Sequence, residues 1–376
     1  MRFLSADYLF TLTTNPIKNG VLQIDNSGKI IDVFNTRSER LSDKIEIYHG
    51  ILCPGFINSH CHLELSHLKG MANNVKGFSE FISLVSKRDN FSQSEILGAI
   101  KNAEEEMLKN GIVAVGDVCN TIDTLDQKKK RSLLYYNFIE TFEVNNNKAD
   151  QAMARSLDIR NVFRTNNMQA TITPHALYSV PPYLMSKILQ ISDENDTLFS
   201  IHNQETIQEN ELFINKKGNF YNWLNNIGAS PEIWNNRGSS NNILKELGTK
   251  KKTLLIHNTY TNKLDISNNY YCTCPKANLF IEGKLPDYSI FNVDRLCVGT
   301  DSLASNDSLS IINELAVIQK NSDFSLQTLL KIACKNGAKA LGFKSLGTFE
   351  AGKNPGVNLI SNLELGLEKA DLRKII

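Results

Sequence analysis

Residues 51–65 read ILCPGFINSHCHLEL, an apolar run that ends in two histidines, His60 and His62. Side chains at positions i and i+2 of a strand point to the same face, so these two imidazoles can bind one ion together. Seven similar runs follow, separated by stretches with helical periodicity. They are IVAVGDVCN (112–120), LLYYNFIETFEV (133–144), MQATITPHALYSV (168–180), TLFSIHNQE (197–205), TLLIHNTY (253–260), YYCTCPKANLFI (270–281) and DRLCVGTDSLA (294–304).

The alternation of eight apolar runs with helical segments predicts an α/β fold, a (β/α)8 TIM barrel. Two of the helical segments are SEILGAIKNAEEEMLKNGI (94–112) and SLQTLLKIACKNGAKALGF (325–343). We predict the barrel over residues 54–344. Residues 1–53 and 345–376 read as strands and turns, which predicts a small β-sandwich module made from both chain ends.

Two local features refine this organisation. The turn signal at residues 26–28, NSG, separates two strand-like runs and predicts a hairpin. The polar stretch from Lys216 to Asn241 predicts a long loop or irregular helix on the side where substrate enters.

The composition narrows the range of partners. The chain has 376 residues, and 41 Lys and Arg against 40 Asp and Glu leave a net charge of +1. A net charge this small creates no overall electrostatic attraction for nucleic acid or an anionic membrane, so we expect a small-molecule substrate. No apolar stretch approaches the roughly 20 residues that span a bilayer, and we expect a cytoplasmic protein. The seven cysteines lack zinc-binding spacing and predict reduced core thiols. Because barrel enzymes often form dimers, a homodimer is one alternative for the assembly state of this chain.

Histidine is rare in this chain, with seven in all, and most of them lie at strand ends. The five at such positions are His60, His62, His175, His202 and His257. The C-terminal ends of barrel strands form the face where active sites are built. Asp301 follows LCVGT (296–300) at the end of the eighth run and completes a set with three histidines. We predict one divalent ion, zinc in the first place and iron as the alternative, bound by His60, His62, His202 and Asp301.

Glu205 is a candidate for proton transfer because it follows His202 by three residues. A carboxylate beside a metal-activated water can carry a proton to a leaving group. The alternative role is an acid at a helix N-terminus. Tyr178, Phe280 and Leu303 lie at or near strand ends, where such residues more often belong to the core, and lining of the substrate pocket is their alternative role.

Six motifs in order carry a family resemblance: PGFINSHCHLELS, ITPHALYSV, IHNQET, LLIHNTY, CPKANLFI and VGTDSLAS. They resemble the cytosine-, guanine- and adenosine-type deaminase and chlorohydrolase branch of the amidohydrolase superfamily. Within this branch, HLELS, HNQET and GKNPGVNLIS are most similar to aminodeoxyfutalosine deaminase-like members.

The resemblance implies a role for each site residue and agrees with the ligand set above. Glu205 shuttles the proton, and His257 hydrogen-bonds the attacking water or the tetrahedral centre without being a metal ligand. His175 contacts the substrate, as does Glu205, and Asp301 also accepts the water proton. The fourth run contains no lysine that could bridge two metals, which disfavours binuclear versions. The catalytic residues are therefore Glu205, His257 and Asp301.

These inferences predict a hydrolytic deaminase of a heterocyclic base or nucleoside-like compound, with an adenine-type ring such as aminodeoxyfutalosine favoured. Hydrolysis of a cyclic amide or a chlorinated heterocycle uses the same site and is the alternative. A non-catalytic metal-binding protein is the alternative of another class. Arg88 and Asp89 stand where related nucleoside deaminases carry a ribose-binding glutamate, and their role stays open.

Overall fold

The computed structural model describes residues 1–35, 44–71, 78–85, 90–191, 198–229, 238–240, 242, 244, 252–262 and 269–376 of the chain. Arg88 and Asp89 lie outside these described residues. Within the described ranges, none of the helices combines the length and apolar character needed to cross a membrane.

Seven short strands occupy the N-terminal part of the chain. They are β1 (Arg2–Ser5), β2 (Tyr8–Leu9), β3 (Ile17–Lys18), β4 (Val21–Ile24), β5 (Ile30–Phe34), β6 (Ile45–Ile47) and β7 (Ile51–Pro54). One sheet has the order β5-β4-β1-β6. Its antiparallel β4–β5 pair is the hairpin predicted at residues 26–28, and Gly28 adopts a φ of +85° there.

A second sheet joins both chain ends. The strands β16 (Val357–Ser361) and β17 (Asp371–Lys374) extend it to the order β17-β16-β7-β2-β3. Apolar side chains from this sheet and from the first one form a common buried cluster. Its members include Leu4, Leu9, Leu22, Ile30, Leu52, Phe349, Val357 and Leu359.

Among the described residues, eight parallel strands lie between these end segments, each overlapping one of the eight apolar runs. They are β8 (Phe56–Cys61), β9 (Ile112–Cys119), β10 (Leu134–Thr141), β11 (Gln169–Pro174), β12 (Leu198–Asn203), β13 (Lys252–His257), β14 (Tyr270–Thr273) and β15 (Leu296–Val298). The first four form one sheet and the last four another, each with neighbours in chain order. The α/β prediction with parallel strands is confirmed.

The two parallel sheets are linked at both edges. A parallel bridge pairs Ala176, after β11, with His202 on β12. A second bridge pairs Cys61 on β8 with Asp301, after β15. All seven cysteines are free and buried, as predicted.

Helices follow most of the parallel strands. They are α1 (Phe78–Val85), α2 (Gln93–Lys109), α3 (Leu125–Lys128), α4 (Ala149–Thr165), α5 (Pro182–Ile191), α6 (Ile207–Asn210), α7 (Asn219–Asn226), α8 (Pro275–Glu282), α9 (Ile311–Lys320), α10 (Leu326–Leu330) and α11 (Gly337–Leu341). The sequence of α2 explains its start, because Ser92 and Glu95 form a capping box. The segment predicted as a loop or irregular helix from Lys216 contains α7, whose Phe220 and Leu224 are buried.

Candidate active site

The strand-end histidines and Asp301 meet at the C-terminal ends of the parallel strands. His60 lies on β8, His202 on β12, and His257 is the last residue of β13. His62 follows β8 directly, and Asp301 comes shortly after β15. All five side chains are buried. The sequence placed them at strand ends, and the parallel topology brings them together.

Close approach of β8 and β15 depends on Gly299. A Cβ on this residue would lie 2.7 Å from the carbonyl oxygen of His60, so a side chain there would separate the strands. The same carbonyl accepts hydrogen bonds from the backbone N–H groups of Thr300 and Asp301, both at 3.1 Å. Asp301 and His257 adopt left-handed φ values of 57° and 67°. Such conformations are costly for residues with a Cβ and concentrate at functional sites.

The side chains converge on a small volume. One ligand atom each from His60, His202, His257 and Asp301 lies within 4.8 Å of the others. His62 joins them, because its Nε2 is 3.2 Å from His60 Nε2 and 3.5 Å from Asp301 Oδ1. The four predicted ligands are therefore close together, and His257 is adjacent to them.

The protonation states fit a divalent ion. Burial lowers the pKa of His60 to about 3, and burial also lowers the pKa of His202 and His257. Burial opposes ionisation of Asp301, but the hydrogen bond with His60 and the nearby histidines lower its pKa below the usual value. Neutral imidazoles and an anionic carboxylate are ligands that zinc takes.

An unsatisfied nitrogen strengthens this fit. His257 Nε2 is buried and has no hydrogen-bond partner among the described residues, and the same holds for His60 Nδ1. Buried polar atoms without a partner are rare and costly in folded proteins. His202 has its Nδ1 3.0 Å from the carbonyl of His175, so Nδ1 donates and the Nε2 lone pair is available to an ion.

Glu205 lies beside the cluster as a buried acid. Its Oε1 is 3.7 Å from His257 Nε2. Burial raises the pKa of Glu205 well above its ordinary value, which favours the protonated carboxyl group. Glu209 accepts a hydrogen bond from the backbone N–H of Glu205 at 3.2 Å. The raised pKa and the fixed position of Glu205 suit a proton donor.

A cavity of about 600 Å³ opens over these groups. His62, His175, His202, Glu205, His257 and Asp301 line its polar part. Another part of its wall is apolar and includes Phe81, Ile82, Val85, Phe142, Phe220, Trp223, Leu224 and Ile227. Tyr178 lines the cavity, which was the alternative role considered for it. Leu303 belongs to the core, as expected, whereas Phe280 is exposed on α8, so the core position expected for Phe280 is wrong.

Sequence reasoning missed three polar residues around this site. Glu64 lines the cavity and accepts hydrogen bonds from the backbone N–H groups of Asn120 and Thr121. Glu140 also lines it, with Oε1 3.6 Å from His202 Nδ1. Asn278 lies behind His257, with its Oδ1 2.8 Å from His257 Nδ1. The CPKAN motif could have indicated Asn278, because a proline favours the start of a helix. Pro275 begins a helix just after a strand, and this places Asn278 in the first turn of that helix.

Neutral imidazoles, a carboxylate and a buried acid at the ends of parallel strands are the components of a metal-assisted hydrolase. The family model described as "Amidohydrolase family" matches residues 51–372. The chain belongs to the Amidohydrolase family, and it is accordingly a hydrolase of carbon–nitrogen bonds other than peptide bonds.

Similar proteins include several deaminases. An adenosine deaminase of Helicobacter pylori is 27% identical over 347 residues, which cover 87% of this chain and 83% of the relative. The crystal structure of Helicobacter pylori aminofutalosine deaminase with methylthio-coformycin has a TM-score of 0.81 at 23% identity, covering 99% of this chain and 97% of that one. An adenosine deaminase of Xanthomonas campestris with bound zinc has a TM-score of 0.72 at 17% identity, covering 98% and 86%. These two structures show similarity of fold.

Proposed function

We propose that this protein is a metal-dependent hydrolytic deaminase of a heterocyclic base or nucleoside-like compound, with an adenine-type ring such as that of aminodeoxyfutalosine. The proposal rests mainly on the buried Glu205 carboxyl group, 3.7 Å from His257 Nε2 and beside a convergent ligand cluster. A buried acid with a raised pKa favours its protonated form and can protonate an amino leaving group. The relatives named as adenosine and aminofutalosine deaminases support the same reaction.

We propose that β8 to β15 close into a single (β/α)8 barrel over residues 54–344. The bridges Ala176–His202 and Cys61–Asp301 support closure, because they link the two parallel sheets at both edges. We assign residues 1–53 and 345–376 to one β-sandwich module. The pairing of β16 with β7 and the apolar cluster shared by the two end sheets support this assignment.

We propose that His60, His62, His202 and Asp301 hold one divalent ion, with zinc favoured and iron as the alternative. When bound, such an ion lowers the pKa of a coordinated water toward about 7 and so supplies hydroxide near neutrality. Three imidazoles and one carboxylate suit zinc, and the Xanthomonas campestris neighbour carries zinc.

The chain's own groups then move protons and orient the substrate. The ionised Asp301 accepts a proton from the attacking water, which adds to the ring carbon bearing the amino group. Glu205 donates its proton to a ring nitrogen. The resulting carboxylate takes the proton of the added hydroxyl group and passes it to the amino group, which leaves as ammonia while the carbonyl forms. The proton held by Asp301 then returns to Glu205 and restores both residues. His257 hydrogen-bonds the attacking water through Nε2. His175 contacts the substrate from the cavity wall.

The cavity supports a small, largely apolar substrate with a polar reactive edge. Its apolar wall can pack against a flat ring and its substituent, while the polar part holds the reacting atoms. We also infer a cytoplasmic location, which the seven buried free cysteines support.

Ammonia release from a panel of compounds tests the proposal. The zinc-reconstituted protein would be assayed with adenosine, 5′-deoxyadenosine, aminodeoxyfutalosine, guanine and cytosine, and Glu205→Gln serves as the blank. Release by the wild type from an adenine nucleoside supports the proposal. Turnover of only a cyclic amide or a chlorinated triazine would replace it with the alternative hydrolase, and zinc binding without any turnover would favour a metal-binding protein.

A further inference from the structure

His257 has two different neighbours on its two ring nitrogens. Nδ1 lies 2.8 Å from Asn278 Oδ1 on α8. Nε2 faces the cluster, 3.7 Å from Glu205 Oε1, and has no hydrogen-bond partner within the described ranges. A neutral imidazole carries one proton, and the partner of one nitrogen decides the character of the other.

The orientation of the Asn278 amide is determined by a second contact. Its Nδ2 lies 3.5 Å from the backbone carbonyl oxygen of His257, which can only accept. The reversed amide would place oxygen against that carbonyl and NH2 against Nδ1. The contact with the carbonyl therefore directs Oδ1 at Nδ1, so Nδ1 carries the proton and Nε2 keeps its lone pair.

The positions of both residues follow from their elements. Asn278 is 1% exposed in the first turn of α8, where its backbone N–H bonds to the carbonyl of Cys274 at 2.8 Å. Pro275 starts this helix directly after β14. His257 ends β13 in a left-handed conformation, and the Asn278 amide contacts both its ring and its carbonyl.

We propose that Asn278 is a positioning residue that holds neutral His257 as the Nδ1–H tautomer, with the Nε2 lone pair directed at the reaction centre. This inference rests on the proposed function for its catalytic consequence, but the tautomer itself does not depend on the substrate. With the lone pair facing inward, His257 accepts a hydrogen bond from the attacking water. In the other tautomer, Nε2–H would donate toward that water and oppose the transfer of its proton to Asp301.

The amide of Asn278 also acts on the His257 ring differently from a carboxylate at the same position. A carboxylate on Nδ1 stabilises the imidazolium, as the aspartate of a catalytic triad does. The uncharged oxygen of Asn278 fixes the tautomer without adding a negative charge beside the buried acid Glu205. Asn278→Asp should therefore keep the proton on Nδ1, and Asn278→Leu should lose that preference.

The test is the 15N spectrum of histidine-labelled full-length protein, with and without zinc, and His257→Gln assigns the signals of His257. We expect wild type to show a protonated Nδ1 and an unprotonated Nε2, Asn278→Asp to keep Nδ1 protonated, and Asn278→Leu to show a mixed or reversed tautomer. Asn358→Leu is the matched control, because Asn358, on β16 of the end sheet, is a buried asparagine that donates to the carbonyl of Gly111. It should leave the tautomer unchanged.

Kinetics on whichever substrate the panel identifies gives a second readout. We expect Asn278→Leu to lower kcat by roughly 10- to 100-fold with little change in KM, as loss of an orienting partner does. A wild-type protein with Nε2 protonated, or an unchanged tautomer in Asn278→Leu, would overturn the inference. If Asn278→Leu fails to fold, the wild-type and Asn278→Asp spectra decide. Because the spectra need no substrate, they test the tautomer of His257 even if the assays show no deaminase activity.

Discussion

Lys128 and Asp117 form a fully buried ion pair, with Nζ 2.5 Å from Oδ2. The other carboxylate oxygen of Asp117 accepts a hydrogen bond from the backbone N–H of Leu63 at 2.8 Å. Leu63 directly follows His62, so the ion pair supports the backbone that carries two of the proposed ligands. Lys128 also donates to Asn137 Oδ1 at 2.7 Å.

Lys128→Met should destabilise the protein by about 3–5 kcal/mol, because it leaves the Asp117 carboxylate buried and unpaired. Urea unfolding measures the change. Lys129→Met is the matched control, since Lys129 pairs with Asp126 on the surface and should contribute only about 0–1 kcal/mol. Equal, small effects of both substitutions would show that Asp117 does not depend on Lys128.

The proposed set of metal ligands predicts different effects of substituting His62 and His257, which the distances between the side chains alone do not predict. His257 lies in the tight cluster with His60, His202 and Asp301, whereas His62 lies at its margin. We nevertheless expect His257→Ala to keep one zinc per chain and His62→Ala to lose most of it. Metal analysis after dialysis gives the stoichiometry. The reverse result would exchange the two histidines between the metal-binding and hydrogen-bonding roles.

Glu205→Gln should lower turnover by roughly 10²–10⁴-fold, because the amide cannot transfer a proton. Zinc content should stay at the wild-type level, since Glu205 is not a proposed ligand. Glu314→Gln serves as the control, because Glu314 is a buried carboxyl group outside the cavity. Similar turnover in Glu205→Gln and wild type would remove Glu205 from the mechanism.

Glu314 should make stability depend on pH. Burial raises its folded-state pKa from 4.5 to about 8. Between these values the folded state binds the proton and the unfolded state does not, so the free energy of unfolding falls as pH rises through this window. One such group contributes a slope of about 1.4 kcal/mol per pH unit.

Glu314→Gln removes this contribution. The free energy of unfolding of the variant minus that of the wild type should rise between pH 4.5 and 8. It should stay constant outside that window. Urea unfolding at several pH values measures it. A difference that is flat across the window would show that Glu314 is ionised in the folded protein.

Much of the architecture could be predicted from the sequence because strand ends carry a strong local signal. The run ending in His60 and the run preceding Asp301 each define a strand and the position of a side chain at its C-terminal end. The parallel topology then brings side chains together that are distant along the chain. His175, His202 and His257 follow the same rule, and all of them line the cavity.

Supporting residues could not be predicted in this way, because their roles arise from tertiary contacts. Lys128 lies on a short helix, and nothing in the local sequence distinguishes it from an exposed lysine until α3 packs over β9. Glu140 occupies an apolar run, where its orientation depends on the neighbouring strands. Phe280 was expected in the core from its nearness to a strand end, but the phase of α8 directs it to solvent instead.

The central claim is most directly tested by titrating metal-free protein with zinc while following ammonia release from an adenine nucleoside. We expect no turnover without metal, a linear rise with added zinc, and a plateau at one equivalent per chain. Turnover by the metal-free protein, or a plateau only at two equivalents, would contradict a mononuclear metal-dependent deaminase.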